Sequence, residues 1–237
     1  MKIRGARECK SCGSQWSYYE TGSIECPECG SLRSVGVDDR SEHTDSPVSL
    51  DLSPVVERLD QDSLESVATD AAERCQAYVR ERGFIDAGDL KPLDATYVAA
   101  VELRYVAAEI ARSLRVSDDE ELFFLSLLRG AEAGERPPTA EIPDSFAAVR
   151  GLATAAIVDA YRRDLARYLD DHPDQSARRT LGKLVDHKKR IEALDGGVPV
   201  GTSETVLQAL TDLSHSVALG DETALAAAQE RLADLEY

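Results

Sequence analysis

Cys9-Lys10-Ser11-Cys12-Gly13 and Cys26-Pro27-Glu28-Cys29-Gly30 are two copies of one pattern, Cys-x-x-Cys-Gly. Two residues between the cysteines let both thiolates reach one ion from a tight turn. The following Gly permits the positive φ that turns backbone N–H groups toward sulfur. Together the pairs supply Cys9, Cys12, Cys26 and Cys29, a complete tetrahedral set of four thiolates. Thirteen residues, Gly13 to Glu25, separate the pairs and leave room for a short hairpin. Its expected parts are a strand over Gln15–Tyr19, a turn over Glu20–Ser23, and Ile24 leading into the second knuckle. Residues 1–37 are therefore expected to form a small β zinc ribbon holding one structural Zn2+. So small a piece cannot bury enough surface to fold alone, so the metal supplies its folding free energy. A single iron is the other ion that four thiolates hold.

Past the knuckles the composition changes twice. Residues 38–53 (beginning Asp38-Asp39-Arg40-Ser41-Glu42-His43) are polar and aperiodic, the pattern of a linker. From residue 54 to 237 the pattern is helical, and an all-α bundle of about seven helices is expected. Ser53-Pro54 opens the first, whose apolar face runs through Leu64, Val67, Ala68, Ala71, Cys75 and Tyr78. The second, Leu93 to Leu114, is apolar on more than one side and is expected at the centre of the bundle. Ser117 with Glu120 forms a capping box for the third. The fourth spans Pro143 to Asp171, the fifth Ser176 to Leu194, and two more close the chain from Ser203 and Asp221, hinged at Gly220. No strand is expected beyond residue 53. Cys75, in register with Ala71 and Val79, is expected as a small buried hydrophobe.

Residues 7–37 resemble a zinc ribbon of the rubredoxin-like kind that begins transcription factor IIB-type proteins. The resemblance implies Cys9, Cys12, Cys26 and Cys29 as ligands and implies no reaction. The helical part lacks the pair of repeated cyclin-like units that such initiation factors carry. The whole chain also resembles haloarchaeal proteins that join a ribbon to helices. The knuckles look similar to those of rubredoxin and rubrerythrin, which hold iron. A rubrerythrin-type di-iron bundle needs Glu-x-x-His motifs, and none of His43, His172, His187 and His215 has Glu three residues before it.

The chain carries a formal net charge of −17, which repels bulk nucleic acid and anionic membrane unless cations are concentrated somewhere. It contains 21 Arg against 6 Lys, with 23 Asp and 21 Glu. Short acids in excess and scarce lysine resemble the proteins of extreme halophiles, since molar salt cuts the Debye length to about 3 Å and surface self-repulsion then costs little; the alternative is an acidic mesophilic protein. No apolar run approaches the ~20 residues of a membrane span and no secretory signal opens the sequence, so a cytoplasmic location is expected.

Two surfaces could bind a partner. In residues 1–40 six cations offset six acids, so the ribbon is near neutral. Trp16 and Tyr18 would share one strand face and Tyr19 the other, with Tyr18 and Tyr19 the open candidates for a contact. In the fifth helix Arg178, Arg179, Lys183, Lys188, Lys189 and Arg190 form a basic run: a phosphate-contacting stripe, a dock for an acidic partner, or a solvated face paired with the chain's own carboxylates. Phosphate-loop, Gly-x-Ser-x-Gly and His-Glu-x-x-His motifs are all missing. The expectation is a zinc-binding, non-catalytic adaptor that contacts a protein or nucleoprotein partner in transcription or translation, with no small-molecule substrate and no membrane. The alternatives are an enzyme or redox protein with a site in the bundle beside an iron ribbon, or a structural subunit of a larger assembly.

Overall fold

The computed structural model describes residues 1–235. The chain opens with β1 (Lys2–Arg4), β2 (Ala6–Cys9) and β3 (Gln15–Ser17). β2 and β3 are antiparallel, Arg7 facing Trp16, and the first knuckle is their turn. A single helical turn, α1 (Tyr18–Thr21), and the second knuckle follow. β4 (Ser34–Gly36) then adds to the free edge of β2, giving the order β3-β2-β4. β5 (Arg40–Glu42) returns to pair with β1, Ile3 facing Ser41.

The strand expected over Gln15–Tyr19 stops at Ser17. The Thr21 hydroxyl donates to the Ser17 carbonyl, and Gly22, at φ 64°, ends the turn by donating its N–H to the Tyr18 carbonyl. Tyr18 and Tyr19 thus sit on a helical turn, and strand alternation does not govern them. Tyr19 lies over Gly5, where a Cβ would stand 1.9 Å from the tyrosine ring, so the ribbon has room there for glycine alone.

The stretch read as a linker is packed structure. The Asp38 carboxylate accepts the N–H groups of Gly5 and Ala6, tying the start of β2 to the end of the ribbon. Beyond β5, His43, Asp45, Leu50 and Leu52 are all buried. The polar side chains of this stretch meet specific donors, and composition alone does not distinguish that from hydration.

The helical part comprises α2 (Ser53–Val56), α3 (Leu64–Glu81), α4 (Ala95–Arg112), α5 (Asp118–Gly130), α6 (Ala147–Asp171), α7 (Gln175–Ala193), α8 (Val200–Leu219) and α9 (Glu222–Asp234). Among the described residues the chain has nine α-helices; the excess over seven is α1 and α2. Each is four residues long, too short to show a 3.6-residue period. Pro54 does lie in a first turn, but that of α2, not of α3. A two-residue hairpin, β6 (Ile85–Asp86) with β7 (Asp89–Leu90), also corrects the expectation of no strand past residue 53. Ala87 and Gly88 both adopt positive φ in its turn, the geometry of a tight hairpin.

The caps follow local chemistry. Ser63, Asp94, Asp174 and Asp221 accept N–H groups in the first turns of α3, α4, α7 and α9. Ser117 and Glu120 form the reciprocal capping box of α5. Such a cap contributes about 1 kcal/mol. α4 buries ten side chains and packs against α3, α5 and α6, which makes it the central helix. Phe84 packs edge-on to Tyr97 and Tyr161, with ring centroids 4.8 and 4.7 Å away.

One element of this core is ionic. Glu102 on α4 accepts from Arg150 of α6 at 2.9 Å and from Arg136 at 3.1 Å. Both arginines also reach Glu204 of α8, at 2.8 and 3.0 Å. Glu102 and Arg150 are 2% and 3% exposed, so neither charge could stand there without the other. The quartet fixes the register of three helices.

Residues 43–45 sew the ribbon to the bundle. Thr44 donates its hydroxyl to Asp164 of α6 at 2.6 Å, and the Phe84 N–H donates to the same carboxylate oxygen at 2.8 Å. Asp45 accepts from Arg82, Lys91 and the Gly83 N–H. His43 lies between Tyr19 of the ribbon, 4.6 Å between ring centroids, and the β6–β7 turn, whose Ala87 N–H donates to its Nδ1.

Candidate metal centre

The two knuckles converge because β2 and β4 are neighbours. The Lys10 N–H donates to the Arg33 carbonyl at 2.8 Å, and the Ser11 and Ser31 hydroxyls meet at 3.0 Å. Each knuckle closes in the same way. Gly13 (φ 79°) donates its N–H to the Cys9 carbonyl, and Gly30 (φ 68°) to that of Cys26. The four sulfurs all lie within 4.8 Å of one another. Cys9 Sγ is 3.7 Å from Cys29 Sγ, and Cys12 Sγ is 3.6 Å from Cys26 Sγ. A tetrahedron with metal–sulfur bonds near 2.3 Å has an edge of about 3.8 Å, so the cage has the size of a four-thiolate metal site.

Cys9 and Cys26 are buried, whereas Cys12 and Cys29 are exposed. Backbone N–H groups of Cys12 and Ser11 lower the Cys9 thiol to about 6, whereas Cys29, despite the Ser31 N–H, is pushed up to about 12 by the neighbouring sulfurs and by burial, so the cluster does not hold four thiolates without a cation among them. The four cysteines can therefore hold one metal ion. Cys75 lies apart, buried in α3, and burial pushes its thiol up to about 12.

Trp16 is half-buried and donates its ring N–H to the Ser23 carbonyl at 3.0 Å. Tyr19 packs on His43 at the joint; Tyr18 meets the same ring edge-on, 6.3 Å between centroids, and also opens onto a shallow hollow of about 400 Å3 on the ribbon. Lys2, Arg4, Arg7 and Arg40 line it with Tyr18 and Ile24, and no carboxylate belongs to its lining. Arg7 is held by the hydroxyl and carbonyl of Ser34. Lys2 pairs with Asp171 at 3.0 Å, and the other three cations form no ion pair among the described residues. In the sequence these charges can be counted but are not visible as one face. The available signal was the spacing of Lys2 and Arg4, two apart on a strand and so on the same side.

The basic run of α7 lies elsewhere and is largely occupied by neighbouring acids. Arg178 donates to Asp170 and to the Leu169 carbonyl, Lys188 pairs with Asp159 and Glu192, and Lys189 with Asp186. Arg179 donates to the Gln175 carbonyl within its own helix. Lys183 and Arg190 are exposed. The structure thus brings Tyr18 to a cationic face and does not bring the α7 residues to it.

Fold and site together define a four-cysteine knuckle module joined to a helical bundle. Residues 1–232 match a family described as "Family of unknown function (DUF7117)", and the chain belongs to that family. No curated protein and no solved structure matches it. No helix among the described residues is long and apolar enough to cross a membrane.

Proposed function

We propose that this protein is a zinc-clamped adaptor whose ribbon docks on the nucleic-acid component of a transcription or translation assembly. The observation that carries this reading is the Lys2, Arg4, Arg7 and Arg40 hollow, cation-only in its lining on a chain of net charge −17. On a chain whose net charge repels polyanions, the ribbon presents an attractive cationic face. Tyr18 supplies a ring for stacking beside the phosphate-binding cations. Zinc is the proposed metal, because a closed four-thiolate set with no open position suits a structural ion. Under this reading the protein is non-catalytic, the likeness to transcription factor IIB-type ribbons concerns the knuckles, and the acidic surface reflects a salt-rich cell interior.

The test is fluorescence anisotropy of the metal-loaded protein on a labelled single-stranded RNA, titrated between about 0.1 and 1 M KCl. Four phosphate contacts give a slope of log K against log salt of about −2.8, and the Arg7→Gln/Arg40→Gln variant reduces it to about −1.4. Wild-type affinity unchanged in that variant would remove the ribbon face from the account.

A further inference from the structure

Separate from the ribbon, α3, α4, α6 and α7 enclose a groove of about 590 Å3, within the range that accepts a small molecule. Val101, Leu152 and Ala156 give it an apolar floor, and Tyr97 and Tyr105 give it two rings. Its lining contains six cations and three carboxylates, the reverse of the chain as a whole.

All three carboxylates are already engaged. Asp159 pairs with Lys188, Arg162 and Arg163. Asp164 accepts from Thr44 and the Phe84 N–H and meets Arg167 at 3.4 Å. Glu192 pairs with Lys188. Among the cations, Arg82 is taken by Asp45 and Asp94, outside the groove. Two cations remain, exposed Arg80 and half-buried Arg104, and neither has a carboxylate partner among the described residues. The Arg104 guanidinium lies 4.8 Å from the centre of the Tyr105 ring. Holding a half-buried cation without an anion costs free energy that a ligand would return.

We infer that this groove binds a small phosphorylated molecule with a flat ring, of nucleoside-monophosphate size. Arg80 and Arg104 take the phosphate, and the apolar floor with Tyr105 takes the ring. Two unneutralised guanidiniums match the charge of a phosphate dianion, whereas one carboxylate would leave a cation over. The planar fork of arginine also presents paired N–H donors to phosphate oxygens. Tyr97, pushed up to about 12 by burial, stays a neutral phenol and so adds no competing negative charge.

Calorimetric titration of the full, metal-loaded chain tests this with three probes: adenosine monophosphate, adenosine and inorganic phosphate. The nucleotide is expected to bind about tenfold or more tightly than either fragment, and Arg104→Gln to weaken it about tenfold or more. Arg80→Gln, a change at an exposed position, is expected to weaken it without disturbing the fold, and Arg7→Gln on the ribbon to leave it unchanged. No heat with the nucleotide would overturn the inference. So would equal binding of nucleotide and adenosine, equal binding of nucleotide and phosphate, or wild-type affinity in both Arg80→Gln and Arg104→Gln.

Discussion

The ribbon and the bundle reach a defined structure by opposite means. Among the first 37 residues only Gly5, Cys9 and Cys26 are buried, and two of those three are metal-ligand candidates. Ile24, Leu32, Val35 and Val37 remain exposed there. The bundle buries ten side chains on α4 alone and closes its core around Phe84, Tyr97 and Tyr161. Each large apolar side chain removed from water contributes about 1.5–3 kcal/mol, and the ribbon has almost none to contribute. The bundle is therefore expected to be stable through burial and the ribbon through its ion. On this reading an ion held by four sulfurs takes the place of a core where the chain is too short to build one.

The comparison breaks most visibly at a cysteine. Cys26→Ser removes one of the four ligands, and structural zinc supplies on the order of 10 kcal/mol to a domain of this kind. Ribbon structure is expected to be lost, with far-ultraviolet helicity nearly unchanged. A ribbon whose NMR amide dispersion survived the substitution would show that it has a core of its own.

A smaller effect, confined to the other region, is expected from the ionic quartet. Arg150→Met leaves Glu102 buried with half its compensation, which costs about 3–5 kcal/mol. Denaturant unfolding of the helices should shift by that amount while metal affinity, read by competition with a chromophoric chelator, stays at the wild-type value. A change in metal affinity would mean that the two regions are not independent.

The smallest effect lies at the joint between them. Burial lowers the His43 pKa below its ordinary 6.5, against the raising influence of Asp86 and Asp45, while Lys91 and the N-terminal amine add to the lowering. The unfolded chain then takes up a proton before the folded one does. Stability is complete above pH 6.5 and is lost as pH falls from there toward the depressed folded value. Denaturant midpoints at about pH 5 and about pH 7.5 should differ in the wild type, and the difference should shrink in His43→Gln. An equal pH dependence in both proteins would assign it to other groups.

What the sequence made legible was local. The knuckles could be read because Cys-x-x-Cys-Gly specifies its own turn, and the capping box at Ser117–Glu120 because its two bonds span three residues. The seven long helices show their period directly. The one-turn helices α1 and α2 and the two-residue strands of β6–β7 are too short for any period, and long-range pairing created them. The β1–β5 ladder joins segments almost forty residues apart, so Arg40 looked like part of a linker. Glu102 did leave a signal, a single acid inside the apolar run Val98-Ala99-Ala100-Val101-Glu102-Leu103. Its partners Arg136, Arg150 and Glu204 lie beyond any local window. The basic run of α7 was visible as charge, but the acids that occupy it include Asp159 and Asp170 on α6, a relation only the packing reveals.

The most direct test of the metal-held ribbon beside a self-sufficient bundle is amide hydrogen exchange, measured before and after stripping the metal with a chelator. Protection is expected to vanish over residues 1–37 and over their strand partner Arg40–Glu42, while residues 64–234 keep theirs. Ribbon protection that persisted without metal, or a loss that spread through α4 and α6, would contradict it.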